Sequence, residues 1–537
     1  MPHHSRIKKL LIANRGEIAR RIIRACQELE INTVLVVSTA DVDSWAASEA
    51  DEVVVVGEGP ASKSYLDGAK IIQAAVERQC CAVHPGYGFL SEDPDFAQGV
   101  IDAGLIFVGP SPSSIRALGV KTTARATVMA AGVPVTPGTE GGLSDEPLIA
   151  EADTVGYPVI VKAAAGGGGR GMRIAHSKEE LSAVLPLARD EAQKNFGNSD
   201  VYIERFIERP RHVEVQLFGD TQGTIIHFGT RDCSSQRRHQ KLLEEAPAPF
   251  LSENTRERIH EAAVKAAQSV GYYNAGTAEF LVQGDDFFFL EINTRIQVEH
   301  PATELITGVD LVQLQLKVAM GEPLSIKQED VIFSGHAIEL RINAEDTREG
   351  FRPSLGTITA WSRPEKIPMR EECGYRVGDS IPPFYDSLIS KVLVHAPNRG
   401  DAILQAFQVL KRYAIQGVPT TIPFHAWILA SRDFQQDGID IGYVERHFSE
   451  QEAERAQALL YIDPEHACPE MHSAPSEEVV DNVVQLPHAA TRLKIVHEPG
   501  GTFLAVPLDN DGKPLPTVTW RRSNSREVLI RGWSNEQ

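Results

Sequence analysis

The sequence predicts an α/β module, then α+β modules built on antiparallel hairpins, and finally a small β-rich appendage. Three observations carry this. Over the first ~115 residues, apolar strand-like runs alternate with amphipathic helical ones, as in a parallel sheet covered by helices. In the middle of the chain, period-two strands flank Gly/Asp turns. Beyond Phe448 the composition shifts to a Pro/Glu/His-bearing stretch and then to short alternating runs.

In order, Leu10–Ala13, Thr33–Val37, Val53–Val56, Cys81–Val83 and Leu105–Val108 read as the strands of the first module. Between the first two, Glu17 to Glu28 carries Ile18, Ile22, Ile23 and Leu29 on one side, the stripe of a surface helix. From about Lys121 to Leu217, a helix with Ala124, Val128 and Met129 precedes the strand Pro158–Lys162. The glycines Gly166, Gly167, Gly168 and Gly169 and further strands follow, the pattern of a small mobile lobe. His212–Leu217 and Thr224–Phe228 surround Gly219, Asp220 and Gly223 as one hairpin. Thr277–Val282 and Phe287–Arg295 surround Gly284, Asp285 and Asp286 as another. His336–Asn343 alternates Ile338, Leu340 and Ile342 with Glu339, Arg341 and Asn343, a strand with one polar face. An acidic, helix-like stretch to Leu460 and the segment through Ser476 read as a linker, and runs at 491–496, 502–506, 517–520 and 527–530 as strands of the appendage. The expected divisions are 1–118, 119–330, 331–450, a linker over 451–480 and the appendage over 481–537.

At 537 residues the chain can bury several cores. A formal charge of −20 argues against nucleic-acid binding, which relies on Lys and Arg to neutralise phosphates. Anionic ligands must therefore find local basic sites. The cysteines show no Cys-x-x-Cys spacing, so a reducing compartment is the default. No apolar run approaches ~18 residues, and the basic stretch Met1–Lys9 leads straight into a strand. The expectation is a cytoplasmic protein, with an organelle interior as the alternative, and no membrane association.

The second hairpin has a register that can be worked out from the chain. Folding it about Asp285 sets Glu279 opposite Glu291, with side chains ~5 Å apart. Asn293 and Arg295 follow on that face, while Phe280, Phe288, Leu290 and Ile292 point to the core. Two carboxylates and an amide suit a hard divalent cation such as Mg²⁺ that keeps positions open for phosphate oxygens. A solvated face with a Glu–Arg pair is the plainer alternative. The glycine run lets backbone N–H groups approach phosphates, and Lys162 and Arg170 add charge there. It lacks the Gly-Lys-Ser/Thr ending of a P-loop, and a flexible turn is its alternative. Arg231, Arg237, Arg238, His239 and Lys241 concentrate positive charge in an acidic chain. Aimed into a cleft, Lys241 and Arg238 would stabilise charge on a transferred phosphoryl group; on a surface, Glu244 and Glu245 would partly neutralise the run. Glu299 continues the polar side of the alternation with Arg295 and Gln297, where an acid beside anion ligands suits a general base. His300 suits a core position, and Pro301 stops the strand.

Taken in order, Ile12–Ile18, His84–Glu92, Lys162 with the glycine run, Gln236–Lys241, Glu291–Pro301 and Arg341–Asp346 resemble the signatures of biotin carboxylases, an ATP-grasp family. The resemblance runs from about Lys8 to Phe448. It implies a pre-ATP-grasp N-terminal domain, an ATP-grasp domain with a mobile glycine-loop lid at about 135–208, and a carboxylase C-terminal domain. The implied activity is ATP-dependent carboxylation of biotin by bicarbonate through carboxyphosphate. By the same resemblance, Glu279 and Glu291 with Asn293 hold Mg²⁺ or Mn²⁺ on ATP. Lys121, Lys162, the four glycines, His212, Gln236 and His239 contact the nucleotide, and Glu204 and Ile207 meet adenine. Arg295, Gln297 and Val298 hold bicarbonate and Glu299 takes its proton, while Lys241 stabilises phosphoryl charge. Arg341 stabilises the biotin enolate, and Tyr87 lies near the biotin pocket.

Two departures matter. The family's polar residue before Lys121 is Val120 here, and no Met-Lys dipeptide, the family's biotin attachment signature, occurs in the sequence. Biotin is therefore expected on a separate carrier protein or biotinylated subunit. The acceptor would be chosen by a carboxyltransferase subunit, and this chain would form a homodimer. Another ATP-grasp ligase, making carbamoyl phosphate or an acyl phosphate, would share the hairpin and glycine run without needing Glu299 and Arg341 together. A non-catalytic scaffold would be expected to have lost Lys241, Glu299 or Arg341, and all three are present.

Overall fold

The computed structural model describes residues 6–164 and 172–461 and, beyond them, strands 482–485, 492–498, 502–508, 518–522 and 528–533. Two compact units result: Met1–Ser334 with Asp440–Gly442, and Gly335–Ile439 with Tyr443–Gln537.

The first unit begins with β1 (Lys9–Ile12), β2 (Asn32–Ser38), β3 (Glu52–Gly57), β4 (Ala82–His84) and β5 (Ile106–Phe107), a parallel sheet in the order β3-β2-β1-β4-β5. Its central strands are buried on both faces, which is why Leu10, Leu11 and Ile12 read as a continuous apolar run. The helix Gly16–Glu28 buries Ile18, Ile22 and Ile23 against this sheet's core.

A small sheet of β6 (Val159–Ala163), β7 (Arg173–Ala175) and β8 (Val201–Arg205), ordered β7-β6-β8, has its own core. Leu148, Val159, Val161, Leu181, Leu185 and Val201 fill it, drawn from the sheet and from helices Asp145–Val155 and Lys178–Phe196. The expected phosphate-binding glycines Gly166–Gly169 lie outside the described residues.

Next come β9 (Arg211–Gly219), β10 (Ile225–Arg237), β11 (Gln240–Ala246), β12 (Asn274–Gln283) and β13 (Asp286–Asn293), antiparallel in the order β13-β12-β9-β10-β11. One face packs Val213, Val215, Leu217 and Phe280 against Ile259, Ala263 and Ala266 of helix Glu253–Gln268. The β12–β13 hairpin pairs Glu279 with Glu291 as expected, by a route the alternation did not show. Its turn is only Gly284–Asp285, and a bulge follows, so Phe280 faces Phe289. The extra residue reverses the alternation beyond it. Phe287 and Phe289 therefore enter the core in place of the expected Phe288 and Leu290, which are half-buried. The strand also ends at Asn293 rather than running through Arg295. Glu299 sits at the N-cap of helix His300–Thr307, delivered by a loop and not by strand alternation.

In the second unit, β14 (His336–Asn343) pairs antiparallel with Leu388–Ala396, which pairs with Arg370–Cys373. Part of the expected linker is a packed helix, Glu450–Tyr461: Ala453, Ala456 and Leu459 are buried, and Trp427 Nε1 donates to Glu452 Oε2 (3.0 Å). The rest, 462–481, lies outside the described residues. The tail strands form a five-stranded antiparallel meander in sequence order. Among the described residues, no helix is long and apolar enough to cross a membrane.

Candidate active site

Because β9 lies between β10 and β12, register sets one charged row across four strands: Glu291 opposite Glu279, Glu279 opposite Glu214, Glu214 opposite Arg231. Directly opposed side chains in an antiparallel sheet share a face, so the row is a continuous polar strip on the side away from the core of Val213 and Val215. Lys241, paired with Gln236 on the β10–β11 hairpin, brings its ammonium into the strip. Its Nζ lies 2.6 Å from Glu214, 2.9 Å from Glu279 and 2.6 Å from Glu299.

Electrostatics follow from that packing. Burial works against the Lys241 charge, yet the surrounding acids outweigh it and hold the ammonium well above its ordinary value. Burial likewise opposes the Glu279 carboxylate, but Lys241 and His212 hold it well below the usual range. His212 Nε2 lies 3.1 Å from Glu279 Oε2; burial opposes the imidazolium, and the Glu279 charge prevails, raising it. Burial, then the Glu214 charge, pushes the Cys233 thiol up, which keeps it neutral 4.0 Å from Glu299.

The Glu279 Oε1 acceptor also takes Asn293 Nδ2 and Gln297 Nε2, each at 2.8 Å. Arg295 donates to Glu92 Oε2 (2.9 Å) and to Asn293 Oδ1 (3.1 Å). Glu92 Oε1 in turn accepts from Thr294 N (3.1 Å), pinning the loop that carries Arg295, Gln297, Val298 and Glu299. Glu291 is half-buried and meets Lys121 at 3.4 Å. Lys121 reaches the strip although Val120, at the N-cap of helix Lys121–Ala130, makes no side-chain cap bond. The donor set tests a divalent cation directly. Glu279 and Glu291 face one another across the hairpin, two hard oxygen donors of the kind Mg²⁺ or Mn²⁺ takes, with Asn293 beside them giving its NH₂ to Glu279 and its oxygen to Arg295. Among the described residues, the tightest donor clusters are His212–Glu214–Glu279 and Glu214–Cys233–Glu299, and Glu291 stands outside both.

Elsewhere in the unit, Lys162 Nζ donates to Glu204 Oε2 (2.6 Å) and Arg125 to Glu204 Oε1 (3.3 Å). Burial works to raise the Glu204 carboxyl, but Lys162 and then Arg125 carry it below its ordinary value. Ile207 is buried just beyond β8. Gln236 is buried, donating to Cys233 O (3.4 Å), while His239 and Arg238 form the exposed hairpin turn at φ 64° and 48°. The Tyr87 hydroxyl donates to Glu17 Oε1. Its loop is clamped by Asn14, whose Nδ2 donates to the carbonyls of Pro85 and Tyr87, both at 2.7 Å. Gly86 has φ 64° there, and a Cβ would stand 2.8 Å from Asn14 Nδ2, so glycine is required.

Comparison with known proteins places this geometry. Family models match over 6–115 (biotin carboxylase, N-terminal domain), 120–327 (carbamoyl-phosphate synthase L chain, ATP binding domain) and 339–446 (biotin carboxylase C-terminal domain). A biotin carboxylase of Nostoc is 50% identical over 439 residues, 81% of this chain and 98% of its own. The chain belongs to the biotin carboxylase family. Biotin carboxylase 1 of Bacillus subtilis is 48% identical over 444 residues, 82% of this chain and 99% of its own. The biotin carboxylase domain dimer of Hydrogenobacter thermophilus 2-oxoglutarate carboxylase, solved with MgADP, ADP and bicarbonate, aligns with a TM-score of 0.79. It is 45% identical, over 83% of this chain and 98% of that one.

Within this family frame, the first unit gathers Lys241, Glu279, Asn293, Arg295, Gln297 and Glu299 in one hydrogen-bonded cluster. Arg341 belongs to the second unit: on β14 it stands opposite Lys391, and its carbonyl accepts from Thr421 Oγ1 and His425 Nε2, both at 2.7 Å. Sequence reasoning missed Glu214 and Arg231 as members of the strip. The signal for Glu214 was the alternation of His212, Glu214 and Gln216 with Val213, Val215 and Leu217. Arg231 belongs to the basic run expected to face solvent or a cleft; it is wholly buried, and Glu244 and Glu245 are buried too.

Proposed function

We propose that this chain carboxylates biotin with ATP and bicarbonate, and that biotin reaches it on a separate carrier protein or biotinylated subunit. The observation that carries the reading is the Lys241 ammonium held among Glu299, Glu279 and Glu214, in a network that also includes Arg295 and Gln297. A general base, anion-binding groups and a phosphoryl-stabilising cation thus share one buried place.

Lys121, Lys162, His212, Gln236 and His239 bind the nucleotide together with the 166–169 glycines, and Glu204 and Ile207 meet adenine. Mg²⁺ or Mn²⁺, held by Glu279, Glu291 and Asn293, neutralises charge on the phosphate oxygens when bound. Arg295, Gln297 and Val298 hold bicarbonate while Glu299 takes its proton. The bicarbonate oxygen bonds to the γ-phosphorus and the bond to ADP breaks, with Lys241 balancing the charge, which gives carboxyphosphate. Carboxyphosphate splits to carbon dioxide and phosphate. Phosphate removes the ureido proton of biotin, and the ureido nitrogen bonds carbon dioxide while Arg341 stabilises the enolate oxygen and Tyr87 lines the pocket.

A carboxyltransferase then passes the carboxyl group to an acyl-CoA or ketoacid. The homodimer is supported by the dimeric Hydrogenobacter relative. Within the 537 residues given, no Met-Lys dipeptide offers the family's biotin attachment signature. The workplace is taken to be the cytoplasm; the free thiols of Cys26, Cys80, Cys81, Cys233 and Cys373 fit a reducing compartment.

The test is ADP release by the purified chain with bicarbonate and free biotin supplied or withheld. Release indifferent to both, across a range of Mg²⁺ concentrations, refutes the reading. A streptavidin-reactive band from the chain co-expressed with a biotin ligase refutes the separate carrier.

A further inference from the structure

Arg231 is shut off from solvent and fully engaged. Its Nε donates to Glu214 Oε1 (2.5 Å), and one terminal nitrogen donates to Gln216 Oε1 and Thr303 Oγ1 (both 2.8 Å). The other terminal nitrogen donates to Gln297 Oε1 (2.8 Å) and Thr277 Oγ1 (3.4 Å). A guanidinium is a planar fork of five donors, and this one ties β9 and β12 to the loop after β13 and to helix His300–Thr307.

Two of its partners bear on chemistry. An amide presents oxygen on one side and NH₂ on the other, and which side faces the site depends on what the oxygen meets. Gln297 Oε1 meets Arg231, so Nε2 is turned toward Glu279 Oε1, 2.8 Å away. Glu214, neutralised on one oxygen by Arg231, offers the other to Lys241 at 2.6 Å.

We propose that Arg231 is the positioning residue of the bicarbonate site, fixing the Gln297 amide directly and the Lys241 ammonium through Glu214. It touches no substrate. The proposal rests on the functional reading above, which assigns Gln297 to bicarbonate.

Steady-state ADP release by the full chain, with bicarbonate and Mg-ATP varied in turn, provides the test. Arg231→Lys keeps a charge beside Glu214 but has no fork to reach Gln297. The KM for bicarbonate should rise about tenfold, the scale of one charged hydrogen bond, while the KM for ATP stays within about twofold. A residue that only stabilised the fold would not separate the two constants. In a double-mutant cycle, adding Arg231→Lys to Gln297→Ala should raise the bicarbonate KM little further, because both remove one interaction. Thr303→Val withdraws one acceptor of the fork without stranding a charge; it should shift the bicarbonate KM in the same direction by less, and it decides the matter if Arg231→Lys does not fold. An unchanged bicarbonate KM in the folded variant, equal rises in both constants, or additive effects overturn the proposal. ADP release by the unsubstituted chain that ignores bicarbonate overturns instead the functional reading beneath it.

Discussion

Glu299→Gln and Arg341→Gln should divide the reaction between them. Glu299 Oε1 lies 2.6 Å from Lys241 Nζ in a buried setting, so the substitution removes the proposed base and one charged contact. Lys241 keeps Glu214 and Glu279, and its charge is not stranded. The stability loss is then at most that of one charged hydrogen bond, about 1.5–3 kcal/mol. Set against a typical ~5–15 kcal/mol of total stability, the variant stays almost wholly folded. Loss of a general base slows its step by about 10²–10⁴-fold, which unfolding on this scale cannot imitate. Bicarbonate-dependent ADP release should therefore fall by that factor before any biotin is added, with a shift in Tm of only several degrees. Arg341→Gln should spare more of that release, measured in the same assay, while abolishing incorporation of labelled bicarbonate into free biotin. If Glu299→Gln keeps ADP release near wild type, or if both variants lose both activities equally, the division of roles is wrong.

Other consequences follow from the same geometry. Glu291→Gln removes one of two facing carboxylates at a half-buried position, so the Mg²⁺ concentration for half-maximal ADP release should rise while the melting curve holds; unchanged Mg²⁺ dependence would exclude Glu291 as a ligand. Val120→Asp supplies the missing cap of helix Lys121–Ala130 and should add about 1 kcal/mol, read as a small rise in Tm. His227 and His260 stack at 3.9 Å between ring centroids, and burial lowers them to about 4 and about 3. Both stay neutral in the folded chain as pH falls below 6.5, where the unfolded chain takes up protons, so each costs stability from pH 6.5 down to its folded value. His260→Phe should flatten the fall of Tm between pH 6.5 and 4, and an unaltered slope would count against the neutral stack.

Short-range rules account for the features legible in the chain alone. The pairing of Glu279 with Glu291 was read by folding the chain about Asp285; the structure reaches it with a shorter turn, Gly284–Asp285, only because a bulge adds the missing residue, and the same bulge puts Phe287 and Phe289 in the core. The parallel strands of the first module were legible because burial on both faces leaves an unbroken apolar run. Lys241 was legible in a basic run, and Arg295 and Glu299 on the polar side of an alternation, but not the arrangement they make. Glu299 arrives on a loop and helix cap that alternation does not describe. Tertiary structure alone decided the rest. Glu214 joins the strip only because β9 pairs with β12 on one side and β10 on the other, and Arg231 becomes a hub only when helix His300–Thr307 closes over it. Those pairings join segments far apart in the chain, where loop closure leaves many partners open and only the packing of the whole unit selects one.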